Sequence, residues 1–180
     1  RVHAGRAAER VDLEPGVVGD GGQPGERQRR ARLEARVVEQ RGAGFVGRFG
    51  STKKVPVYER YFLGGAETVR GYSRNGQIGP LNGGRVYDVA NIEFKFPLAR
   101  ERRRTIVQFA FFFDIGNSWD AFDRISARFG TGTTNLKAGA GFGIRFTTPA
   151  FPIRLDWGYG FNHKPGEQRS DIYFTLGNLF

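Results

Sequence analysis

From Arg85 onward, hydrophobic positions recur at every second residue, the period of strands with two unlike faces. In 86–96, Ile92, Phe94 and Phe96 share one face, and Glu93 and Lys95 the other. In 105–113, Val107, Phe109, Phe111 and Phe113 point one way, with Gln108 and Ala110 opposite. In 136–146 the apolar set is Leu136, Ala138, Ala140, Phe142, Ile144 and Phe146, facing away from Lys137, Gly139, Gly141, Gly143 and Arg145. In 153–161, Ile153, Leu155, Trp157, Tyr159 and Phe161 alternate with Arg154, Asp156, Gly158 and Gly160. The last stretch, 171–180, sets Ile172, Phe174, Leu176 and Phe180 on one side.

The connections at 97–104 and 148–152 are short, and those at 116–135 and 162–170 are long and polar, which predicts an antiparallel all-β meander. Period two also occurs in soluble sandwiches, so residue type decides the environment. One face is almost unbroken Phe, Ile, Leu, Val and Trp, suited to hydrocarbon. The other is Gly, Arg, Asp, Glu and Lys, too charged for a packed core and natural for a polar lumen. Strands of about 10 residues with that arrangement are the signal of an outer-membrane barrel. Tyr72, Tyr87, Trp119 and Tyr159 are candidates for its interfacial girdle. Five strands cannot close such a barrel, which needs about eight, so the expectation is an open, curved sheet from a larger one.

Residues 1–44 read differently. They contain no aromatic residue, and only 27–40 could form a helix, with a thin stripe of Ala31, Leu33, Ala35, Val37 and Val38. The segment is either a tail or a stretch foreign to the design that begins at Phe45, and no function is assigned to it. Residues 45–180 are assigned to the barrel.

Composition narrows the chemistry. The chain has no cysteine, which excludes a disulfide framework and thiolate metal sites. Its two histidines, His3 and His163, have no ligand spacing, so neither metal nor cofactor is expected. No apolar run approaches the roughly 20 residues of a membrane helix. The net charge of +10 raises nucleic acid as a partner, but 17 phenylalanines beside 27 glycines suit close-packed strands better. The basic run at 99–104 reads as a solvated turn near anionic headgroups, and the polar face has no aromatic platform for bases, so no nucleic-acid partner is expected. Ser118, Ser126 and Ser170 have no histidine at plausible reach, and no helix pattern follows the glycine-rich stretch at 138–146. The chain is not expected to be an enzyme.

The remaining signal is Tyr-Glu-Arg-Tyr-Phe-Leu-Gly-Gly-Ala-Glu-Thr-Val-Arg-Gly-Tyr at 58–72. Gly71 lies between bulky residues, as where a chain turns tightly or rests on another backbone. Arg70 carries a fixed charge and a donor fork suited to a carboxylate. Alone, the tetrapeptide reads more simply as an ordinary glycine turn with a solvated arginine.

Several stretches together resemble the C-terminal barrel of the BamA/TamA family of outer-membrane assembly proteins, the bacterial surface antigen barrels. They are 58–72 with Val69, Arg70, Gly71 and Tyr72; Phe-Phe-Asp-Ile-Gly-Asn-Ser-Trp at 112–119; the glycines of 138–145; Ile-Arg-Leu-Asp at 153–156; and Phe174 to the terminal Phe180. The resemblance covers about 51–180. It implies a parent barrel of about 16 strands and an inward-folded loop at about 58–84 with Arg70 at its tip. It also implies that Arg70 meets the lumen-facing carboxylates Glu93 and Asp114, the latter two residues before Gly116. Glu93 falls on the polar face by period, and Asp114 is read as ending its strand. The expected cluster pins the loop; the alternative is that both acids line a wet lumen unpaired.

The resemblance further implies a terminal-strand assembly signal in Ile172, Phe174, Leu176 and Phe180, weakened where Gly177 and Asn178 break the alternation. The implied activity is insertion of client β-barrels into the bacterial outer membrane. Implied partners are membrane lipids, the clients, and accessory lipoproteins bound through POTRA repeats that this chain lacks. The alternative within the same superfamily is a two-partner secretion or TamA-like translocation pore.

Overall fold

The alternation along 86–176 becomes a sheet because each strand finds its apolar residues on the same side as its neighbour's. A computed structural model describes residues 6–7, 36–47, 55–73, 77–101, 104–147 and 151–177. The strands are β1 (Arg6–Ala7), β2 (Arg36–Phe45), β3 (Val86–Glu101), β4 (Arg104–Trp119), β5 (Lys137–Thr147), β6 (Pro152–Gly160) and β7 (Ser170–Leu176). They form one antiparallel sheet in sequence order. The fold is an all-β meander, open at both ends of the sheet among the described residues.

Register makes the two faces explicit. Val37, Phe94, Phe111, Phe142, Trp157 and Ile172 stand level across six strands. The next level is Glu93, Phe112, Gly141, Gly158 and Asp171. The first row belongs to a bare apolar wall: Phe111 is 51% exposed and Phe174 63%. Its rings pack on one another, Phe109 on Phe111 at 4.9 Å and Phe142 on Trp157 at 5.3 Å between centroids. A contiguous exposed apolar surface of this extent is unstable in water and matched to lipid. The second row faces the concave side, which the 55–85 segment covers. Leu63, Val69, Tyr72, Ile78 and Val89 form a small apolar core there, with Tyr87 against it.

Residues 102–103 connect β3 to β4, and 148–151 connect β5 to β6, at one end of the sheet. The long connections 46–85, 120–136 and 161–169 cluster at the other.

Three expectations change. The sequence pattern stopped short of β2, yet Arg36–Phe45 pairs with β3 along its whole length. Its wall-side residues are Val37, Glu39, Arg41, Ala43 and Phe45, with Arg41 ion-paired to Asp88 at 3.1 Å, so no apolar period shows. The five expected strands thus become six, plus the two-residue β1. Residues 36–40 of the stretch read as possible helix are strand, and 27–35 lie outside the described residues.

Second, Asp114 does not end its strand, because β4 runs on to Trp119. Beyond Asp114 the wall-side residues are roofed by the 120–136 connection instead of lipid, which hides the period. Asn117 Nδ2 donates to the carbonyls of Thr133 and Asn135, and Trp119 Nε1 to that of Thr134 at 2.7 Å.

Third, of the four girdle candidates only Tyr159 joins the wall, between Trp157 and Phe161. Trp119 is buried under its own loop, while Tyr72 and Tyr87 lie on the concave side. In the terminal strand, Ile172, Phe174 and Leu176 are wall residues. Asn178 and Phe180 lie outside the described residues.

Candidate functional site

The 55–85 segment returns onto the sheet through glycines. Gly64 and Gly65, with φ of 112° and 94°, turn the chain, and Gly65 N–H donates to the Tyr72 carbonyl at 2.8 Å. The Gly64 N–H is taken by Thr68 Oγ1 at 2.8 Å, so the turn satisfies its own backbone. Val69 then packs over Gly116, where a methyl group would stand 3.1 Å from a Val69 methyl and 2.8 Å from the Asp88 carbonyl. Gly116 leaves room for the β3 backbone and Val89 side chain first, and for the loop's Val69 above them.

Arg70 reaches the concave face. Its Nε and Nη2 donate to the two Asp114 oxygens at 2.7 Å each, a bidentate pair, and its backbone N–H adds a third bond to Asp114 at 3.0 Å. Nη1 donates to Glu93 at 2.6 Å and to Asp156 at 3.2 Å. The guanidinium carbon sits 3.5 Å from the centre of the Phe112 ring, in cation–π contact. One arginine therefore ties together β3, β4 and β6 from inside.

The acids are shared. Arg145 bridges Glu93 at 2.8 Å and Asp156 at 3.1 Å. Arg154 pairs with Asp156 at 2.8 Å and also donates to the Ala66 carbonyl, and Lys95 pairs with Glu93 at 3.2 Å. Asn91 donates to Asp114 and to the Thr68 carbonyl. Asp114 and Asp156 are wholly buried, which is tolerable because every buried acid has a cation and further donors. Burial by itself pushes the Arg70 pKa down, but the bonds and charge of Asp114, then of Glu93, outweigh it and hold the guanidinium above its ordinary value. The cluster is an ion-paired lock on the loop tip.

Glycines on the sheet complete the seat. A methyl at Gly139 would stand 2.1 Å from the Arg70 carbonyl oxygen, and one at Gly158 would stand 2.7 Å from the Gly71 nitrogen. Gly141 makes the same kind of room for Phe112, and Gly143 for Asp156. Tyr173 on β7 closes the tip, its hydroxyl accepting from Gly71 N–H at 2.8 Å and donating to the Tyr72 carbonyl at 3.2 Å. Tyr173→Phe should lower the stability of the folded barrel by about 1 kcal/mol, the worth of a buried hydrogen bond. Midpoints of heat-modifiability in the full-length protein measure it, and an unchanged midpoint would leave Tyr173 as mere packing.

Of the residues singled out from sequence, Val69, Arg70, Gly71, Tyr72, Glu93, Asp114 and Gly116 all come together here. Ile172, Phe174 and Leu176 lie on the opposite face of the sheet. Asp156, Arg145, Arg154, Phe112 and Tyr173 belong to the site without having been assigned to it. Their signal was available, since all five fall on the concave side by period. Among the described residues no group of three or more acids, histidines or cysteines could hold a metal ion.

A family model described as the Omp85 superfamily domain matches residues 29–180, reaching upstream of Phe45 and across β2. The chain is 28% identical over 169 residues to the outer membrane protein assembly factor BamA of Neisseria meningitidis serogroup B, covering 76% of this chain and 21% of that protein. It is 29% identical over 134 residues to the factor of the same name from Nitratidesulfovibrio vulgaris, covering 70% of this chain and 16% of that one. The chain thus spans only a small part of the length of these relatives. The crystal structure of BamA from Haemophilus ducreyi lacking POTRA domains 1–3 superposes with a TM-score of 0.60 at 20% identity, covering 79% of this chain and 31% of that chain. That likeness concerns the fold.

Proposed function

The chain belongs to the Omp85 superfamily and is an integral outer-membrane β-barrel chain, and from that premise we propose that it forms barrel wall in a factor that inserts client β-barrel proteins into the outer membrane. The observation that carries this reading is the caged Arg70. A loop locked into the concave side by three carboxylates from three strands braces the wall from within. A braced, apolar-faced wall is suited to disturbing the neighbouring bilayer. It is also suited to offering strand edges on which an incoming strand pairs through backbone hydrogen bonds, whatever its sequence. The work is non-enzymatic. Its partners are outer-membrane lipids, client barrels, and lipoproteins recruited by upstream POTRA repeats of a parent barrel of about 16 strands. The long-loop end, which carries the caged tip, faces outward, and the short turns face the periplasm, as in outer-membrane barrels generally.

Depletion of the full-length protein tests this directly. Porins should accumulate unfolded, losing heat-modifiable mobility, before any single secreted protein is lost from the medium. Normal porin folding with one secreted partner retained in the cell would replace assembly by a secretion-pore function.

A further inference from the structure

The caged arginine is held from below by the sheet, but the tip that bears it is also held from the side by the β6–β7 connection, residues 161–169. His163 is the centre of that contact. Its side chain is only 2% exposed. Nε2 lies 2.9 Å from the Gly71 carbonyl, an acceptor only, so Nε2 must carry the proton and donate. The imidazole stacks on the Tyr72 ring at 4.3 Å between centroids. Gly160 makes the contact possible, since a methyl there would stand 2.4 Å from His163 Nε2 and 2.7 Å from the Tyr72 ring.

The connection is built to hold this ring in place. Lys164, Pro165, Gly166 and Glu167 form a turn with Pro at its second position and Gly166, φ 86°, at its third. Glu167 N–H donates to the Lys164 carbonyl at 3.1 Å, and the Glu167 carboxylate accepts from Lys164 N–H at 2.9 Å. The same carboxylate stands 3.6 Å from His163 Nδ1, which has no hydrogen-bond partner. Asn162 extends the grip: its backbone N–H donates to the Tyr72 hydroxyl at 2.8 Å, and that hydroxyl donates to the Ala138 carbonyl at 3.0 Å. Lys137 ties the connection to its neighbour, donating to the Asn162 and Gly130 carbonyls.

We propose that the 161–169 connection is an outward-facing clasp and His163 its positioning residue, fixing Gly71 and Tyr72 so that Arg70 stays in its cage. The ion cage holds the loop's charge; the clasp holds its backbone. The clasp bears on client assembly only if the caged Arg70 does, so the test reads the loop itself.

On intact cells producing the full-length protein, an added protease reports how often the 58–84 loop lifts. His163→Phe keeps a ring against Tyr72 and removes the donor; His163→Gln keeps a donor and removes the ring. Gly166→Val strains the turn through its positive φ, since the first carbon of the new side chain meets nothing within 4 Å. His163→Phe and Gly166→Val should speed cleavage on the order of fivefold, while His163→Gln stays within about twofold of the parent, the scale of one hydrogen bond. Parental cleavage in a folded His163→Phe barrel overturns the clasp, as does His163→Gln cleaved as fast as His163→Phe. If His163→Phe does not fold, Gly166→Val decides, and unchanged cleavage refutes it. Faster cleavage with normal porin assembly would uphold the clasp and count against the functional weight of Arg70.

Discussion

Arg70→Asp in the full-length protein is expected to abolish both barrel folding, read by heat-modifiability, and the folding of client porins. The substitution removes five donors and places a fourth carboxylate among Glu93, Asp114 and Asp156, two of which have no exposure to water. Removing one partner of a buried pair typically costs about 3–5 kcal/mol, because the other charge is left unpaired. That is a large part of a domain's stability, commonly about 5–15 kcal/mol. Asp114→Arg should fail for the mirror reason, crowding a fourth cation beside Arg70, Arg145 and Arg154. The two together restore the charge balance but not the bidentate geometry, since aspartate at position 70 is too short to span to Glu93 and Asp156 as well. Partial recovery is therefore the expected result for the pair. Wild-type assembly in the Arg70→Asp strain would remove the cage from any account of function and reduce Val69–Tyr72 to a turn.

The site is partly legible in the sequence, and the limits have physical causes. Arg70 carries a fixed charge and a donor fork beside Gly71, but the tetrapeptide alone reads as a solvated turn, and only the surrounding motifs and the resemblance imply its partners. Period two places Glu93 on the polar face, and the family resemblance implies that Arg70 meets it there. Asp156 and Arg145 were on the right face, yet spacing along one strand cannot say which residues of different strands meet beneath a returning loop. Phe112 was masked by its neighbours: in a run of three phenylalanines the eye reads one apolar block, while the pleat sends 111 and 113 to lipid and 112 to the guanidinium. Tyr173 was hidden in the same way between Ile172 and Phe174.

The fold showed the same division. Five strands announced themselves because their walls are bare to lipid and must be continuously apolar. β2 did not, since Glu39 and Arg41 occupy its wall row, and Arg41 is answered by Asp88 across the strand pair. The last third of β4 did not either, because Asn117 and Trp119 are covered by protein instead of lipid. Period reports environment, and it falls silent where a loop replaces the solvent a strand would otherwise face. His163 was set aside for the same reason: nothing in its local sequence announces Tyr72 and Gly71, about 90 residues upstream.

The glycines of the sheet offer a sharper test than the charges, because they separate seat from lock. Gly139→Val leaves Arg70 and every carboxylate in place. Gly139 has an ordinary strand backbone, and valine favours strands, so its local effect should be neutral or stabilising. The penalty comes from across the gap, where the first carbon of the new side chain would stand 2.1 Å from the Arg70 carbonyl oxygen and 3.3 Å from the Tyr159 carbonyl oxygen. Neither is a flexible side chain that can swing away. The loop must lift, and lifting it draws Arg70 out of a cage whose bonds are 2.6–3.2 Å long. Overpacking of this kind costs about 1–3 kcal/mol when neighbours can adjust, and the loss should reach the upper end here because backbone meets side chain. Porin assembly should fall nearly as far as in Arg70→Asp. A second background makes the assignment decisive: with Tyr173→Phe, which loosens the tip while leaving Arg70 and its carboxylates present, Gly139→Val should cost less than it does in the parent, a non-additivity expected only of groups coupled through the loop. An equal cost in both backgrounds would mean that Gly139 serves the strand pairing of β5 with β4 and β6, and that the loop rests on the sheet without depending on it.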